Sequence, residues 1–135
     1  MKDLKDEQTK LDRLEDLIKN LRRFQPEIEK ALAFADNSHS FDDIAERVLL
    51  NSLDMYVLDN SILLCETSVY PNHKAYHVYL GGGDLEEMLD AQDMIEREAR
   101  LRDCKYVSMT GRLGWKPHFE TRGWKHSLSI YKKEL

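Results

Sequence analysis

The sequence predicts an α+β fold in which helices pack on a mixed sheet behind an N-terminal helical arm. Three observations predict it. Apolar side chains recur at helical spacing over the first two dozen residues, the middle of the chain changes to short apolar runs separated by turns, and an amphipathic segment then leads to another such run. Helices, a meander of strands, a crossover helix and a further parallel strand are typical of this class.

The size and composition of the chain bound its class. Its 135 residues and 15.9 kDa favour one hydrophobic core. A hydrophobic fraction of 41% and a charged fraction of 33% exclude a disordered protein. No apolar run approaches the ~20 residues of a membrane span, and residues 1–6 lack the apolar stretch of a signal peptide. Cys65 and Cys104 stand in no metal-ligand spacing, so we expect reduced thiols of a cytoplasmic protein.

The charge balance argues against a dedicated nucleic-acid binder. The net charge is −5, whereas such proteins are usually basic. The charge is nevertheless unevenly distributed, because residues 84–103 carry a net −5 and residues 105–135 a net +5. We interpret the two segments as neighbouring elements with complementary faces, with a basic site for an anionic ligand as the alternative.

The N-terminal segment predicts a helix with one apolar stripe. Charged residues fill the other positions, and the stripe, which Leu17 widens, consists of Leu4, Leu11, Leu14, Ile18 and Leu21. The stripe predicts either a helix docked on its own domain or a seam for a second copy or another protein. Gln25-Pro26 interrupts the pattern, so we divide the chain into an arm of residues 1–24 and a domain of residues 25–135.

The domain begins with two further helices and continues with strands. Pro26 suits the first turn of a helix, and Ser40 or Asp42 suits the N-cap of the next. The predicted strands are Met55–Leu58, Ile62–Tyr70, Ala75–Leu80, Tyr106–Thr110 and a closing strand, Trp124–Lys132. We expect the glycine run 81–83 to stop the third strand and Asp84 to cap a long helix reaching Ala99.

The glycine run is a candidate ligand site. Glycines let backbone N–H groups approach a ligand, and the N-terminus of a helix favours an anion. Asp84, Glu86 and Glu87 crowd the same turn, however, and would repel a phosphate. A ligand cradle and a purely structural turn both remain open.

The order of elements resembles the acyl-CoA N-acyltransferase superfamily called GNAT, over about residues 26–135. Residues 119–125 look like its tyrosine-x-x-x-glycine-aromatic stretch, and residues 128–135 look like its closing strand. More narrowly, small GNAT-like proteins encoded by tailed phages and prophages are similar in the segments 33–36, 38–45, 80–85 and 111–115.

The resemblance implies a GNAT-like mixed sheet, and two departures bear on its activity. The pyrophosphate loop of the family opens with glutamine or arginine, which the segment 81–86 lacks. Phe119 stands where the family often has a tyrosine that protonates the leaving thiolate. The resemblance therefore predicts a catalytically degraded phage protein that serves as a structural or protein-interaction module of the virion or of its assembly.

Further expectations follow from this prediction. The protein would reside in the host cytoplasm or in the virion, its partners would be phage structural proteins or a second copy, and it would hold no cofactor. The alternative is an active N-acyltransferase that modifies a host or phage protein, with acetyl-CoA or another acyl-CoA as donor. Neither alternative involves a membrane or nucleic acid.

The candidate site residues fall into three groups. Glu66 and His77 are the candidate general bases on neighbouring strands. The candidate cofactor-binding residues are Gly81, Gly82, Gly83 and Arg112. The candidate partner-binding residues are Leu4, Leu11, Leu14, Ile18, Leu21 and Trp115. We expect no metal site, since the histidines that are four residues apart, His73 and His77, fall on a predicted turn and strand rather than on one helix.

Arg112 and Trp115 follow the carboxyl end of a predicted parallel strand, where open sheets place their ligand crevice. Arg112 would offer a fork of donors to an anion, and Trp115 would supply a flat apolar wall. The alternative is that Trp115 fills the core while Arg112 pairs with an acid of the long helix.

Overall fold

A computed structural model describes residues 4–135 of the chain. Its helices are α1 (Leu4–Arg23), α2 (Gln25–Phe34), α3 (Phe41–Leu49), α4 (Leu85–Asp90), α5 (Gln92–Leu101) and α6 (Lys116–Glu120), the last preceded by a 3-10 turn, Leu113–Trp115. Its strands are β1 (Asp54–Val57), β2 (Ser61–Val69), β3 (Lys74–Gly83) and β4 (Tyr106–Met109). None of the helices in this part of the chain is long and apolar enough to cross a membrane.

The strands form one mixed sheet in the order β1-β2-β3-β4. β1 and β3 both pair with β2 in antiparallel fashion, and β4 pairs with β3 in parallel. Short turns permit the antiparallel meander, whereas the parallel pair needs a crossover, which α4 and α5 supply. The predicted α+β class with its mixed sheet and N-terminal helix is confirmed.

Helices cover both faces of the sheet. On the first face, α1, α2 and α3 pack through a buried cluster that contains Leu21, Ile28, Ile44, Ile62 and Leu64, among others. On the second face, α4 and α5 pack through a cluster formed by Leu63, Cys65, Tyr76, Met88, Ile95 and Ala99. The alternating side chains of β2 feed both clusters, and this explains why the strand reads as a continuous apolar run.

The helix starts follow the capping signals in the sequence. Ser40 caps α3, and Asp43 completes a capping box by accepting from the Ser40 backbone N–H. Asp84 caps α4 by accepting from the Glu87 N–H at 3.2 Å. Pro26 lies in the first turn of α2. These three predictions are confirmed.

Two boundaries around the glycine run differ from the prediction. β3 does not stop before the glycines, because Gly81, Gly82 and Gly83 continue its pairing with β2. The helix that follows is also not continuous, since Ala91 separates α4 from α5. At this break, the Gln92 side chain accepts a hydrogen bond from the Trp124 indole N–H at 3.0 Å.

The predicted closing strand, Trp124–Lys132, is wrong, because residues 124–135 are not part of the sheet. A strand requires a neighbouring ladder of backbone hydrogen bonds. The tail is held by side chains instead: Trp124 binds Gln92, and the Lys132 ammonium bonds the Asp36 carboxylate at 2.5 Å. Leu128 and Ile130 are more than 80% exposed, so the tail buries no apolar face on the sheet.

Candidate functional site

A bulge in β3 lies at the level where its pairing with β4 ends. The pairing of β2 with β3 passes from Leu64↔Leu80 to Cys65↔Val78 and skips Tyr79. The last pair between β3 and β4 is Val78↔Met109. Because a bulge bends its strand, we expect β3 and the chain after Met109 to diverge beyond this level, and we call the region between them the cleft. The cleft lies at the carboxyl end of β4, and ligands bind at such strand ends in open sheets of this kind.

Three polar residues form a row across the sheet just before the bulge. Glu66 of β2 pairs in register with His77 of β3, and His77 pairs with Ser108 of β4. The Arg47 guanidinium of α3 bonds the Glu66 carboxylate at 2.7 Å, which places this row on the face that α3 covers. The structure therefore brings the two candidate bases together.

The imidazole of His77 is held at both ring nitrogens. Nδ1 lies 2.8 Å from the Ser108 hydroxyl, and Nε2 lies 3.3 Å from the hydroxyl of the exposed Thr110. Burial lowers the pKa of His77, while the nearby Glu66 carboxylate opposes that shift. Since the pKa lies below its ordinary value of 6.5, the imidazole is neutral at pH 7 and can accept a proton.

Tyr79 connects the bulge to the helices of the first face. Its hydroxyl lies 3.0 Å from Nδ1 of His39, and the Arg47 guanidinium lies 5.4 Å from the centre of its ring. Burial raises the pKa of Tyr79, so its hydroxyl keeps its proton at neutral pH. The polar groups along this side of the cleft are thus an ion pair, a neutral imidazole and a protonated phenol.

No family model and no curated protein matches this sequence. Solved structures do match. A probable acetyltransferase aligns with a TM-score of 0.62 and 9% identity over 87% of this chain and 91% of that chain. The ribosomal-protein-alanine N-acetyltransferase from Brucella melitensis biovar Abortus 2308 aligns with a TM-score of 0.58 and 14% identity over 87% and 94%. The fold is that of the GNAT acetyltransferases.

A third match shows how widely this scaffold is used. Glucosamine-6-phosphate N-acetyltransferase from Arabidopsis thaliana has a TM-score of 0.52 and 14% identity over 70% of this chain and 76% of that chain. At such identities the similarity concerns the GNAT-like fold alone, and the chemistry must be argued from the site.

The corner between β3 and α4, where the resemblance places the diphosphate of acyl-CoA, is filled by the chain itself. A Cβ at Gly82 would lie 3.0 Å from the Cβ and the carbonyl oxygen of Glu27, so α2 packs directly on this strand. Gly83 adopts a φ of +121°, and a Cβ there would lie 2.3 Å from the Asn60 carbonyl oxygen. These close approaches require glycine whether or not a ligand binds.

The N-terminus of α4 is also engaged. The Ser61 hydroxyl accepts from the Asp84 N–H at 2.9 Å, Asp84 accepts from the Glu87 N–H, and Glu87 accepts from the Asn60 N–H at 2.8 Å. The carboxylates of Asp84, Glu86 and Glu87 already complement the helix dipole. The residues at this corner therefore do not fit the diphosphate of an acyl-CoA.

Arg112 lies away from this corner, near the C-terminal end of α2. Its guanidinium stacks 3.6 Å from the ring centre of Phe34, at the end of α2, and 5.0 Å from that of Trp115. The corner contacts α2 at Glu27, seven residues before Phe34, or about 10 Å along a helix. Arg112 and the three glycines are therefore not brought to one point.

Arg112 does not pair with the helix acids either. Arg122 does so, with Asp90 at 3.0 Å and Glu86 at 3.4 Å. This pairing agrees with the interpretation of the acidic and basic segments as complementary neighbours. Trp115 is half-buried and lies in a row of rings, 6.1 Å from Phe119.

The apolar stripe of the N-terminal arm is buried in the core at one end and exposed to solvent along the rest. Leu21 is buried and Leu17 packs against the same cluster. The remaining members are solvent-exposed, at 80% for Leu4, 54% for Leu11, 36% for Leu14 and 37% for Ile18. The last turns of α1 therefore dock on the chain's own domain, while binding of a second copy or another protein by the earlier turns stays a prediction.

Other candidate sites can be located within residues 4–135. No group of three His, Cys, Asp or Glu side chains in this range is placed to hold a metal ion. A cavity of about 300 Å³ lies by α4 and α5 and is lined by Leu89, Asp90, Gln92, Asp93 and Arg122. None of the sequence-predicted site residues lines it.

Several members of the cleft carry no signal in the sequence. Ser108 and Thr110 belong to a predicted strand, and their contact with His77 depends on the register of β4 against β3. Arg47 and His39 reach the cleft only through the packing of α3. Their residue types gave no signal, since charged and polar residues are common on helix surfaces.

Proposed function

We propose that this GNAT-like protein has lost acyl-CoA-dependent catalysis and serves as a structural or protein-interaction module of a phage virion or of its assembly. The observation that best supports this proposal is the packing and charge at the corner between β3 and α4. There Glu27 packs on Gly82, and three carboxylates surround the first turn of the helix. A diphosphate at this place would meet like charge, and the basic side chain near it, Arg122, is already paired with Glu86 and Asp90.

The position of the family's general acid supports the same proposal. Phe119 has no proton to give, and its ring packs edge-to-face on Trp124 at 5.6 Å. A side chain used for packing can persist without catalytic selection. The phage origin rests on the sequence resemblance of the segments 33–36, 38–45, 80–85 and 111–115.

The first test is a calorimetric titration with acetyl-CoA. We expect no saturable heat in the low-micromolar range, whereas an active acetyltransferase titrated in parallel should give a normal isotherm. Tight binding that Arg112→Ala abolishes would overturn the proposal, since it would place the donor in the cleft.

The second test addresses the structural role. Phage particles are purified from cells infected by a phage that encodes the chain. Quantitative mass spectrometry should then find the chain in the particles at a fixed ratio to the capsid protein. Its absence from particles and from assembly intermediates would contradict the structural role without restoring a catalytic one.

One observation favours the alternative, an active N-acyltransferase. His77 is a neutral imidazole at the edge of the cleft, oriented by Ser108 and within reach of a substrate amine that displaces Thr110. Under this alternative, release of free CoA in the presence of amine substrates should fall at least tenfold in His77→Gln, which keeps the size and polarity of the side chain. No CoA release with the unaltered protein would exclude it.

A further inference from the structure

The first four turns of α1 carry an apolar face that the domain leaves uncovered. The domain covers only the C-terminal end of the same stripe and the side next to it, where Leu21 and Leu17 pack on the core and the Arg13 guanidinium donates to the Asn51 side chain at 2.7 Å. Leu4, Leu11, Leu14 and Ile18 remain exposed along about 20 Å of helix. Four large apolar side chains in one line exceed the scattered exposure expected of a surface helix.

The spacing of this face is that of a coiled coil. If Leu4 is placed at position a, Leu11 and Ile18 also fall at a, and Leu14 falls at d. Projection at 100° per residue places Lys10 on one flank of the stripe and Glu15 on the other. These two residues occupy the g and e positions.

The charges on the two flanks of the stripe indicate that the partner is a second copy and that the two helices run parallel. In a parallel pair, position g of one helix faces position e of the next heptad in the other. Lys10 of each copy would then face Glu15 of the other, which gives two opposite-charge pairs related by a two-fold axis. An antiparallel pair would instead oppose e to e, so that Glu15 would meet Glu15.

We infer that the exposed face of α1 binds the same face of a second copy as a short parallel coiled coil. This inference extends the proposed interaction role. It rests on that proposal only in taking the arm to be a binding element. The contact is isologous and therefore closes at a dimer. Two heptads make it weak, so the dimer should form at high micromolar concentration rather than at nanomolar concentration.

Glu7 limits the strength of this contact. It falls at d, between Leu4 and Leu11, so the two copies would bring two carboxylates into the apolar seam. Glu7→Leu should therefore tighten the dimer by at least tenfold. A substitution that strengthens association is a demanding test, because general damage to the fold cannot produce it.

The experiment is sedimentation equilibrium of the full chain over a wide concentration range. The average mass should rise from 15.9 kDa towards twice that value as concentration increases. Leu11→Glu should keep the chain monomeric throughout, while Leu101→Glu, at the still more exposed Leu101 of α5, should associate like the unaltered protein. A monomer at every concentration, for the unaltered chain and for Glu7→Leu alike, would overturn the inference.

A charge exchange tests the direction of the helices. Lys10→Glu and Glu15→Lys should each weaken the dimer about fivefold, and the double variant should restore it. An additive loss in the double variant would overturn the parallel arrangement. The proposed loss of acyl-CoA binding is measured separately by calorimetry, so either result can fail while the other stands.

Discussion

The two faces of the sheet carry two polar clusters that differ in how completely they are paired. On the second face, the hydroxyl of the fully buried Tyr76 donates to Asp54 at 2.8 Å and lies 2.6 Å from the Tyr56 hydroxyl. Arg102 then bonds Asp54 at 2.7 Å and Glu98 at 2.9 Å. Each of these five side chains has a partner within the cluster, which therefore fixes α5 to the sheet.

The cluster on the first face stays open at one end. Glu66 is paired with Arg47, and Nδ1 of His77 is held by Ser108. Nε2 of His77, in contrast, has only a long contact with the exposed Thr110 at the cleft. Burial raises the pKa of Tyr76, which keeps it a neutral donor, whereas it lowers the pKa of His77 and leaves a neutral acceptor.

The same contrast appears in two arginines that both stack on aromatic rings. Arg102 lies 4.8 Å from the Tyr76 ring centre and has two carboxylate partners. Arg112 lies between Phe34 and Trp115 and pairs with no carboxylate among the described residues. A paired cluster contributes to stability, whereas unpaired donors are available to a ligand or partner. We therefore expect the second face to contribute to stability, and we propose the cleft as the place where a ligand or partner would bind.

The largest expected effect lies in the closed cluster. Tyr76→Phe removes the hydroxyl that joins Tyr56 to Asp54 in a buried place, so we expect a loss of about 1–3 kcal/mol in the free energy of unfolding. Urea unfolding followed by circular dichroism measures it. Tyr70→Phe is the matched control, because Tyr70 is 50% exposed, and it should leave the midpoint unchanged. Equal losses of unfolding free energy in Tyr76→Phe and Tyr70→Phe would contradict the special contribution of the closed cluster to stability.

A pH-dependent effect should come from the open cluster. Because the pKa of His77 is lowered in the folded state, protonation favours the unfolded chain. The stability due to the neutral imidazole is thus present above about pH 6.5 and is lost as the pH falls through the folded pKa. The Tm advantage of the unaltered protein over His77→Gln should therefore shrink between pH 7.5 and pH 5.5. A constant Tm difference between the unaltered protein and His77→Gln over this pH range would contradict the pKa shift.

The smallest effect on stability is expected at Arg112. Its contacts are two cation–π contacts, so Arg112→Ala should cost less than about 1 kcal/mol. The same change at Arg102 should cost about 1–3 kcal/mol, because it leaves Asp54 and Glu98 without their cation. If Arg112→Ala instead lowers the Tm as much as Arg102→Ala while partner binding persists, the segment 111–115 stabilises the fold and does not bind the partner.

Much of the fold could be predicted because its signals are local. Capping residues such as Ser40 and Asp84 act within one turn of their helix, and apolar periodicity changes visibly between the arm and the strands. The tail shows the limit of such signals. Residues 124–132 have the composition of a strand, yet Trp124 and Lys132 bind side chains outside the sheet. A strand pattern has no effect unless a neighbouring strand pairs with it.

The sequence by itself determined the class of fold, the helix starts, the acidic corner after the glycines and the apolar stripe of the arm, because each depends on residues close together in the chain. Only the tertiary structure decided that Tyr79 forms a bulge, that His77 meets Ser108 and that α2 packs on Gly82. These features depend on the register between strands distant in sequence and on the approach of a helix to the sheet. Both are set by the packing of the whole core rather than by any local pattern.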